Sequence, residues 1–246
     1  MRHLITALLI AASTIATAQN SGNPDTLAVH RHAVPSFLKD GRQMPDAYYF
    51  LPPPPKQGDP VYVSDSLQYL RLRELRTTLR GDTAVQDAQL SVAYFMKRFS
   101  PAVGRDLTPE RYPVLADCMN TMMQSIRASV QKAKDSFARQ RPYNKFQEHT
   151  PIPEHEGPND DTSYPSGHSV RAWALGMFLS AVFPDHANGI MHIAYELGQS
   201  RAILGFHYQS DIDAARLAAS VGYAFLSGED EFQDAIEHCR EEVGEQ

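Results

Sequence analysis

The chain has 246 residues, of which 42% are hydrophobic, so it is long enough to build one domain of ordinary size around a sizeable core. Its formal net charge of −6 and the absence of a long lysine or arginine run exclude a surface built to coat nucleic acid. Any basic cluster must therefore be local and lie inside a site.

Residues 1–18 have the features of a secretory signal peptide. Arg2 and His3 form a short positive segment, residues 4–15 are mostly apolar, and Ala16-Thr17-Ala18 is a small-residue cleavage site. The apolar stretch is too short for a membrane span, although an uncleaved N-terminal anchor is the alternative. We expect a mature protein that begins near Gln19, has no membrane span, and is periplasmic or secreted.

Residues 19–63 are predicted to form an irregular N-terminal strap that includes a proline-rich segment. The run Leu51-Pro52-Pro53-Pro54-Pro55 is stiff and extended. It could be a ligand for a proline-binding module, but a strap lying over the domain is favoured. The neighbouring Tyr48, Tyr49, Phe50 and Val61 are expected to be buried under this interpretation.

Residues 64–246 are predicted to form one helical domain. Apolar residues recur at helical spacing from Asp65 onward, and Thr108-Pro109-Glu110 resembles the start of a long helix that ends at Arg141. Residues 143–164 read as a loop, and further helices are expected at 167–183, 187–204, 209–227 and 229–240. No alternating strand of useful length is visible, so the expected fold class is all-α, a single-domain helical bundle.

The two cysteines, Cys118 and Cys239, both fall in helix-like stretches. In an oxidising compartment they could form a disulfide, but a buried free cysteine is equally common in such positions. Neither lies in a C-x-x-C arrangement, so a zinc or redox site has no support.

Three separated groups of residues carry the chemistry. In the first, Lys134 and Arg141 are seven residues apart, which on a continuous helix places both on one face about 10 Å apart. Arg141 would stand at the end of that helix, because the residue before Pro142 resists the α conformation. Taken alone, the pair is better explained as part of a solvated surface stripe with Lys132 and Arg139.

The second group, Pro165-Ser166-Gly167-His168, precedes an apolar helix. The first N–H groups of a helix have no partner within it, and together with the helix dipole they form an anion site. Gly167 allows an anion to approach the backbone, and Ser166 offers a hydroxyl. An ordinary serine N-cap is the alternative.

The third group is Ser200-Arg201 followed by His207 and Asp211. Residues four apart on a helix or helical turn can contact each other, and a carboxylate on one ring nitrogen fixes the tautomer of a histidine. The other nitrogen is then free to attack or to accept a proton. A structural hydrogen bond is the alternative for such a pair.

Metal binding competes for the same residue types, since His149, His155, His168, His192 and His207 could suggest a zinc site. However, Lys134, Arg141 and Arg201 accompany the second and third groups, and three cations repel a metal dication but attract a phosphate dianion. Electrostatics therefore favours an anion, and no metal or other cofactor is predicted.

Read together, Lys134-x6-Arg141-Pro142, Pro165-Ser166-Gly167-His168 and Ser200-Arg201-x5-His207-x3-Asp211 resemble the three-part motif of the type 2 phosphatidic acid phosphatase superfamily, which also includes vanadium haloperoxidases. The proline run and the segments around Gln199 and Tyr208-Gln209-Ser210-Asp211 resemble the bacterial class A non-specific acid phosphatases. This resemblance covers roughly residues 48 to 240.

The resemblance implies a secreted, metal-independent acid phosphatase that acts on small-molecule phosphomonoesters. A homo-oligomer is left open. His207 would attack phosphorus, Asp211 would orient it, and His168 would act as acid and then base. The phosphate would be held by Lys134, Arg141, Ser166, Gly167 and Arg201. A soluble phosphatase for lipid phosphates or pyrophosphates, a vanadate-dependent haloperoxidase and a phosphate-binding protein without catalysis are the alternatives.

Overall fold

The computed structural model describes residues 37–39 and 41–244. The predicted signal peptide, residues 1–18, and the first part of the predicted strap, residues 19–36, lie outside the described residues. The described part is all-α, as predicted, and its helices are α1 (Pro60–Leu72), α2 (Leu79–Gln86), α3 (Val92–Val103), α4 (Pro113–Ser129), α5 (Gln131–Phe137), α6 (Pro142–Phe146), α7 (Gly167–Val182), α8 (Ala187–Leu204), α9 (Gln209–Leu226) and α10 (Asp230–Gly244). Within these residues, strand-type pairing is limited to one isolated bridge between Arg139 and Thr162.

Helix α7 is the centre of the bundle and packs against α4, α8 and α9. Its sequence is apolar on nearly all sides, which suits an interior helix, and Leu175, Phe178 and Leu179 are fully buried. Each such side chain contributes about 1.5–3 kcal/mol when it leaves water. Gly176 marks the close crossing with α8, because a Cβ atom there would lie 2.6 Å from the Cβ of Ala194. The packing of this helix fixes the position of its N-terminus.

The proline-rich segment lies against the helical bundle. Leu51 is buried in the core, and the Tyr164 hydroxyl donates a 2.7 Å hydrogen bond to the carbonyl of Pro52. The expected burial of its neighbours is wrong for Tyr48, Tyr49 and Val61, which are 37%, 73% and 52% exposed. Val61 is exposed because α1 begins at Pro60, five residues before the predicted start, so that Val61 lies in a first turn facing solvent.

The long helix predicted from Thr108 to Arg141 is wrong in its continuity. Thr108 begins a turn, and α4 begins only at Pro113. Helix α5 then ends at Phe137, because Ala138 adopts the left-handed conformation with φ of 45°. Arg141 is the N-cap of the short helix α6, so it does not stand at the end of the helix that carries Lys134.

The predicted loop over residues 143–164 contains most of α6 and a 3₁₀ turn at Pro153–His155, and is otherwise irregular. The cysteines Cys118, on α4, and Cys239, on α10, are buried free thiols. None of the helices in the described part of the chain is both long and apolar enough to cross a membrane.

Candidate active site

A cavity of about 230 Å³ opens where the N-terminus of α7 meets α5, the end of α8 and the irregular segment after α6. Six of the eight predicted site residues line it, and they come from α5, the N-cap of α6, the start of α7, α8 and the segment after α8. The remaining two, Ser166 and Asp211, are fully buried and are not among the lining residues. The lining residues are Arg127, Lys134, Arg141, His155, Asp160, Gly167, His168, Arg171, Arg201, Phe206 and His207.

Lys134 and Arg141 reach the cavity from different elements. The prediction that they share one face of a continuous helix is therefore wrong, although both side chains line the same space. The Lys134 ammonium donates to the carbonyls of Thr162, at 2.6 Å, and Pro165, at 2.9 Å. Its side chain is buried, so the surface-stripe alternative fails for Lys134.

The N-terminus of α7 is built as the sequence predicts. Ser166 is the N-cap, and its hydroxyl oxygen accepts from the backbone N–H of Ser169 at 3.3 Å and from the Ser169 hydroxyl at 2.9 Å. Neither contact uses the Ser166 hydroxyl proton. Gly167 is the first residue of the helix and lines the cavity, so the positive end of the helix dipole lies at the wall.

His207 presents one ring nitrogen to the cavity in an unprotonated form. Its Nδ1 lies 2.7 Å from the carbonyl oxygen of Ser163, an acceptor only, so Nδ1 carries the proton. Nε2 then holds a lone pair, which accepts a hydrogen bond from Nη1 of Arg141 at 3.0 Å. Burial and then the nearby Arg141 hold the pKa of His207 well below its usual value. The geometry leaves Nε2 as a neutral nucleophile or proton acceptor.

Asp211 does not orient His207 by a direct hydrogen bond, which corrects the expected pairing. Its Oδ2 is 3.6 Å from Nδ1 of His207, and it instead accepts from the Ser163 hydroxyl at 2.6 Å and the Tyr208 N–H at 2.8 Å. Ser163 thus connects the two residues: its hydroxyl donates to the carboxylate of Asp211, and its carbonyl accepts from the imidazole of His207. Through the Tyr208 N–H the carboxylate also caps the start of α9.

A buried ion cluster next to Asp211 was not predicted from the sequence, in which Arg139 entered only as part of the surface-stripe alternative. Arg139 donates from Nη1 to Asp211 Oδ1 at 2.5 Å and from Nη2 to Asp65 Oδ2 at 2.7 Å. Asp65 also accepts from the backbone N–H and the hydroxyl of Ser210. The position of Arg139, two residues before Arg141, was the available signal, whereas nothing in the local sequence marks Asp65. The cluster fixes α1 to the start of α9.

His168, the second residue of α7, also lines the cavity. Its Nε2 is 3.0 Å from the carbonyl oxygen of Ala88, so this nitrogen carries a proton and Nδ1 is the site that can gain or lose one. Burial and then the charge of Arg201 hold the pKa of His168 well below its usual value. A protonated His168 therefore requires an anion in the cavity.

Arg201 gives the most direct sign of a missing anionic partner. It is 3% exposed, its guanidinium lies 4.5 Å over the ring of Phe206, and its Nε and Nη1 are buried without a hydrogen-bond partner. Burial and then Arg141 lower its pKa to about 9. A buried, unpaired guanidinium is costly unless an anion pairs with it.

The charge of the lining is strongly positive. Among the lining residues, Arg127 and Arg171 add two cations that the sequence reasoning missed, and Asp160 supplies the single carboxylate, bonded to Nε of Arg141 at 2.6 Å. Burial and then Arg141 lower the pKa of Lys134 to about 7. No cluster of three or more potential metal-binding His, Cys, Asp or Glu side chains occurs among residues 37–39 and 41–244.

Comparison with known proteins gives consistent matches. Residues 116–227, which contain all eight predicted site residues, match the model of the PAP2 superfamily. A non-specific acid phosphatase from Providencia stuartii is 34% identical over 208 residues, 84% of each chain. A non-specific acid phosphatase from Salmonella typhi is 33% identical, over 81% of each chain. An acid phosphatase from Zymomonas mobilis is 31% identical, over 80% of this chain and 75% of its own.

Proposed function

This chain belongs to the PAP2 superfamily and is an acid phosphatase, and from that premise we propose that it hydrolyses a broad range of phosphate monoesters through a phosphohistidine on His207. The reaction is proposed to need no metal ion. The observation that carries the proposal is the buried Arg201 guanidinium, whose Nε and Nη1 lack partners beside a neutral histidine. Such a site is complete only when a tetrahedral anion occupies it.

The first step is binding of the phosphate dianion. Arg201 has two free donors for it, and the N-terminal N–H groups of α7 and the Ser166 hydroxyl proton supply others. Arg141 and Lys134 line the same cavity and add positive charge to it. These donors are held in place before the substrate arrives, so they stabilise the charge that spreads over the equatorial oxygens in the transition state.

The second step is attack on phosphorus. The Nε2 lone pair of His207 forms the N–P bond while the bond from phosphorus to the ester oxygen breaks. The Nδ1 proton stays on the ring, and its hydrogen bond to the Ser163 carbonyl supports the positive charge that the imidazole gains. The carboxylate of Asp211, 3.6 Å from Nδ1, adds electrostatic support to this cation.

His168 handles the proton of the leaving group. The negative charge of a bound phosphate raises its pKa, so Nδ1 becomes protonated when substrate enters and donates to the departing alkoxide. The neutral His168 then accepts a proton from the water that hydrolyses the N–P bond. The carbonyl of Ala88 keeps the ring in place through Nε2 during both transfers.

The nucleophile is tested by replacing His207 with alanine and following p-nitrophenyl phosphate hydrolysis in a chelator. We expect kcat to fall by about 10⁴-fold or more, with no acid-labile phosphoenzyme after rapid quenching. The matched control is His192→Ala, an exposed histidine on α8 that does not line the cavity. A phosphoenzyme that persists in His207→Ala sinks the assignment, and an activity lost in EDTA and restored by zinc sinks the metal-free reaction.

We also propose that the enzyme acts in the periplasm or outside the cell. The support is the signal-like sequence of residues 1–18. Expression of the full chain followed by cell fractionation and mass spectrometry is expected to give a mature N-terminus near Gln19 in the secreted fraction. An intact Met1 in the cytoplasmic fraction would refute this.

A further inference from the structure

Arg127 and Arg171 lie at an edge of the catalytic cavity where it meets a second groove of about 480 Å³. Both side chains line both spaces. Neither is one of the residues needed to bind the scissile phosphate in the reaction proposed above. Two arginines at the boundary between the catalytic cavity and an adjoining groove are placed to contact the leaving group of the substrate and not the phosphoryl group that is transferred.

The positive charge of this pair is not neutralised within the described part of the chain. Arg171 donates from Nη1 to the carbonyl of Gly167 at 3.0 Å, and Arg127 donates to the side-chain oxygen of Gln131. No ion pair with a described carboxylate forms at either residue, whereas Arg141 in the same cavity is paired with Asp160. Both guanidinium groups line the same two spaces, and burial and then the charge of Arg127 lower the pKa of Arg171 to about 10.

Arg171 bends back toward the start of its own helix. Its Nη1 donates to the carbonyl of Gly167 at 3.0 Å, so the guanidinium lies beside the first residue of α7, which lines the catalytic cavity. A second anion that pairs with Arg171 is therefore joined to the bound phosphate by a chain of only a few atoms. The groove beyond offers apolar contacts from Leu90, Met123 and Ala128 to such a chain.

We propose that Arg127 and Arg171 form a second anion subsite, which favours phosphomonoesters whose leaving group carries another phosphate or a carboxylate. The inference rests on the proposed phosphatase reaction and names its preferred substrate class. The second anion pairs with the two arginines while the first phosphate lies against Arg201 and His207. Charge-assisted hydrogen bonds of this kind are about twice as strong as neutral ones.

The test uses three substrates with one four-carbon skeleton: 4-hydroxybutyl phosphate, 4-phosphooxybutanoate and butane-1,4-diyl bisphosphate. Phosphate release is measured for the wild-type enzyme and for Arg171→Gln and Arg127→Gln. The kcat/KM of the bisphosphate is divided by two, because either of its ends can react. We expect the wild type to prefer the doubly anionic substrates by about tenfold in kcat/KM. Each variant should lose most of this preference, and kcat/KM for 4-hydroxybutyl phosphate should change less than threefold.

The control variant is Arg240→Gln, since Arg240 is an exposed arginine that also donates to a helix carbonyl, that of Ala181, and lies outside both spaces. The preference should persist in it and should shrink with added salt in the wild type. No preference in an active wild type, or equal losses on all three substrates in the variants, overturns the subsite and leaves the phosphatase reaction standing. A wild type inactive on every substrate refutes the reaction itself. A preference for only one of the two anionic arms identifies the second group as phosphate or carboxylate.

Discussion

Replacing Arg139 with methionine tests the buried ion cluster that Arg139 forms with Asp65 and Asp211. Asp65 and Asp211 are 2% and 0% exposed, and Arg139 donates to both carboxylates, so the change leaves two buried negative charges without their common cation. Removing one partner of a buried ion pair typically costs about 3–5 kcal/mol. For a domain of this size, each kcal/mol lowers Tm by about 2–4 °C, so we expect a decrease of roughly 6–20 °C.

Thermal and urea unfolding followed by circular dichroism measure this loss, and the matched control is Arg240→Met. That residue is exposed, and its loss should change the free energy of unfolding by less than about 0.5 kcal/mol. The double variant Asp65→Asn with Arg139→Met should lose less than the sum of its two single variants, because it buries one charge fewer. A Tm for Arg139→Met within 2 °C of the Arg240→Met value would falsify the proposed electrostatic role of the cluster.

Three further outcomes are expected. Burial lowers the pKa of both His168 and His207, so below pH 6.5 the unfolded chain binds more protons than the folded one. The free energy of unfolding should therefore decrease as the pH decreases. The slope is up to about 1.4 kcal/mol per pH unit for each histidine. Melting curves in phosphate-free buffer check this, and a pH-independent Tm between pH 6.5 and 5 contradicts it. Arg201→Gln should weaken phosphate binding at least tenfold, yet keep or raise Tm in the absence of phosphate, because it removes an unpaired buried charge. Calorimetric titration measures the affinity, and melting with and without phosphate measures the stability. An unchanged affinity argues against the anion site. Ser163→Ala should lower kcat about tenfold with KM nearly unchanged, since it removes a 2.6 Å bond to Asp211 but keeps the carbonyl on His207, and steady-state kinetics that show only a higher KM would contradict this.

The sequence predicted the fold class because its dominant signal is local. Helix starts at Ser166 and the apolar pattern that follows depend on neighbours a few residues away, and α7 begins where the pattern indicates. The prediction of a continuous helix up to Arg141 was wrong because the left-handed backbone conformation of Ala138, which ends α5, cannot be recognised from the spacing of apolar residues. Alanine is a strong helix former, so propensity points the other way.

Residues of the candidate site could be predicted from the sequence when their chemical type and spacing indicated a role. Residues that join the site only through contacts in the folded chain could not. The spacing of His207 and Asp211 suggested a pair, but the carbonyl of Ser163, a backbone group that every residue carries, holds the imidazole. Asp65 reaches Arg139 across 74 residues, and periodicity cannot reveal a contact at that separation. Arg171 lies on the same helix as Gly167, yet its side chain could be assigned to the cavity only once the direction of α7 was known.

In the proposed reaction, the hydrogen bond from Arg141 to Nε2 of His207 restrains the nucleophile of the resting enzyme. While that guanidinium occupies the lone pair, an uncharged electrophile that enters the cavity meets a nucleophile already engaged. An incoming phosphate competes for the same guanidinium and draws it from the imidazole, so the molecule that is to be cleaved also releases the atom that cleaves it. Selectivity for anionic esters then begins before any bond to phosphorus forms, through the exchange of one hydrogen-bond acceptor for another.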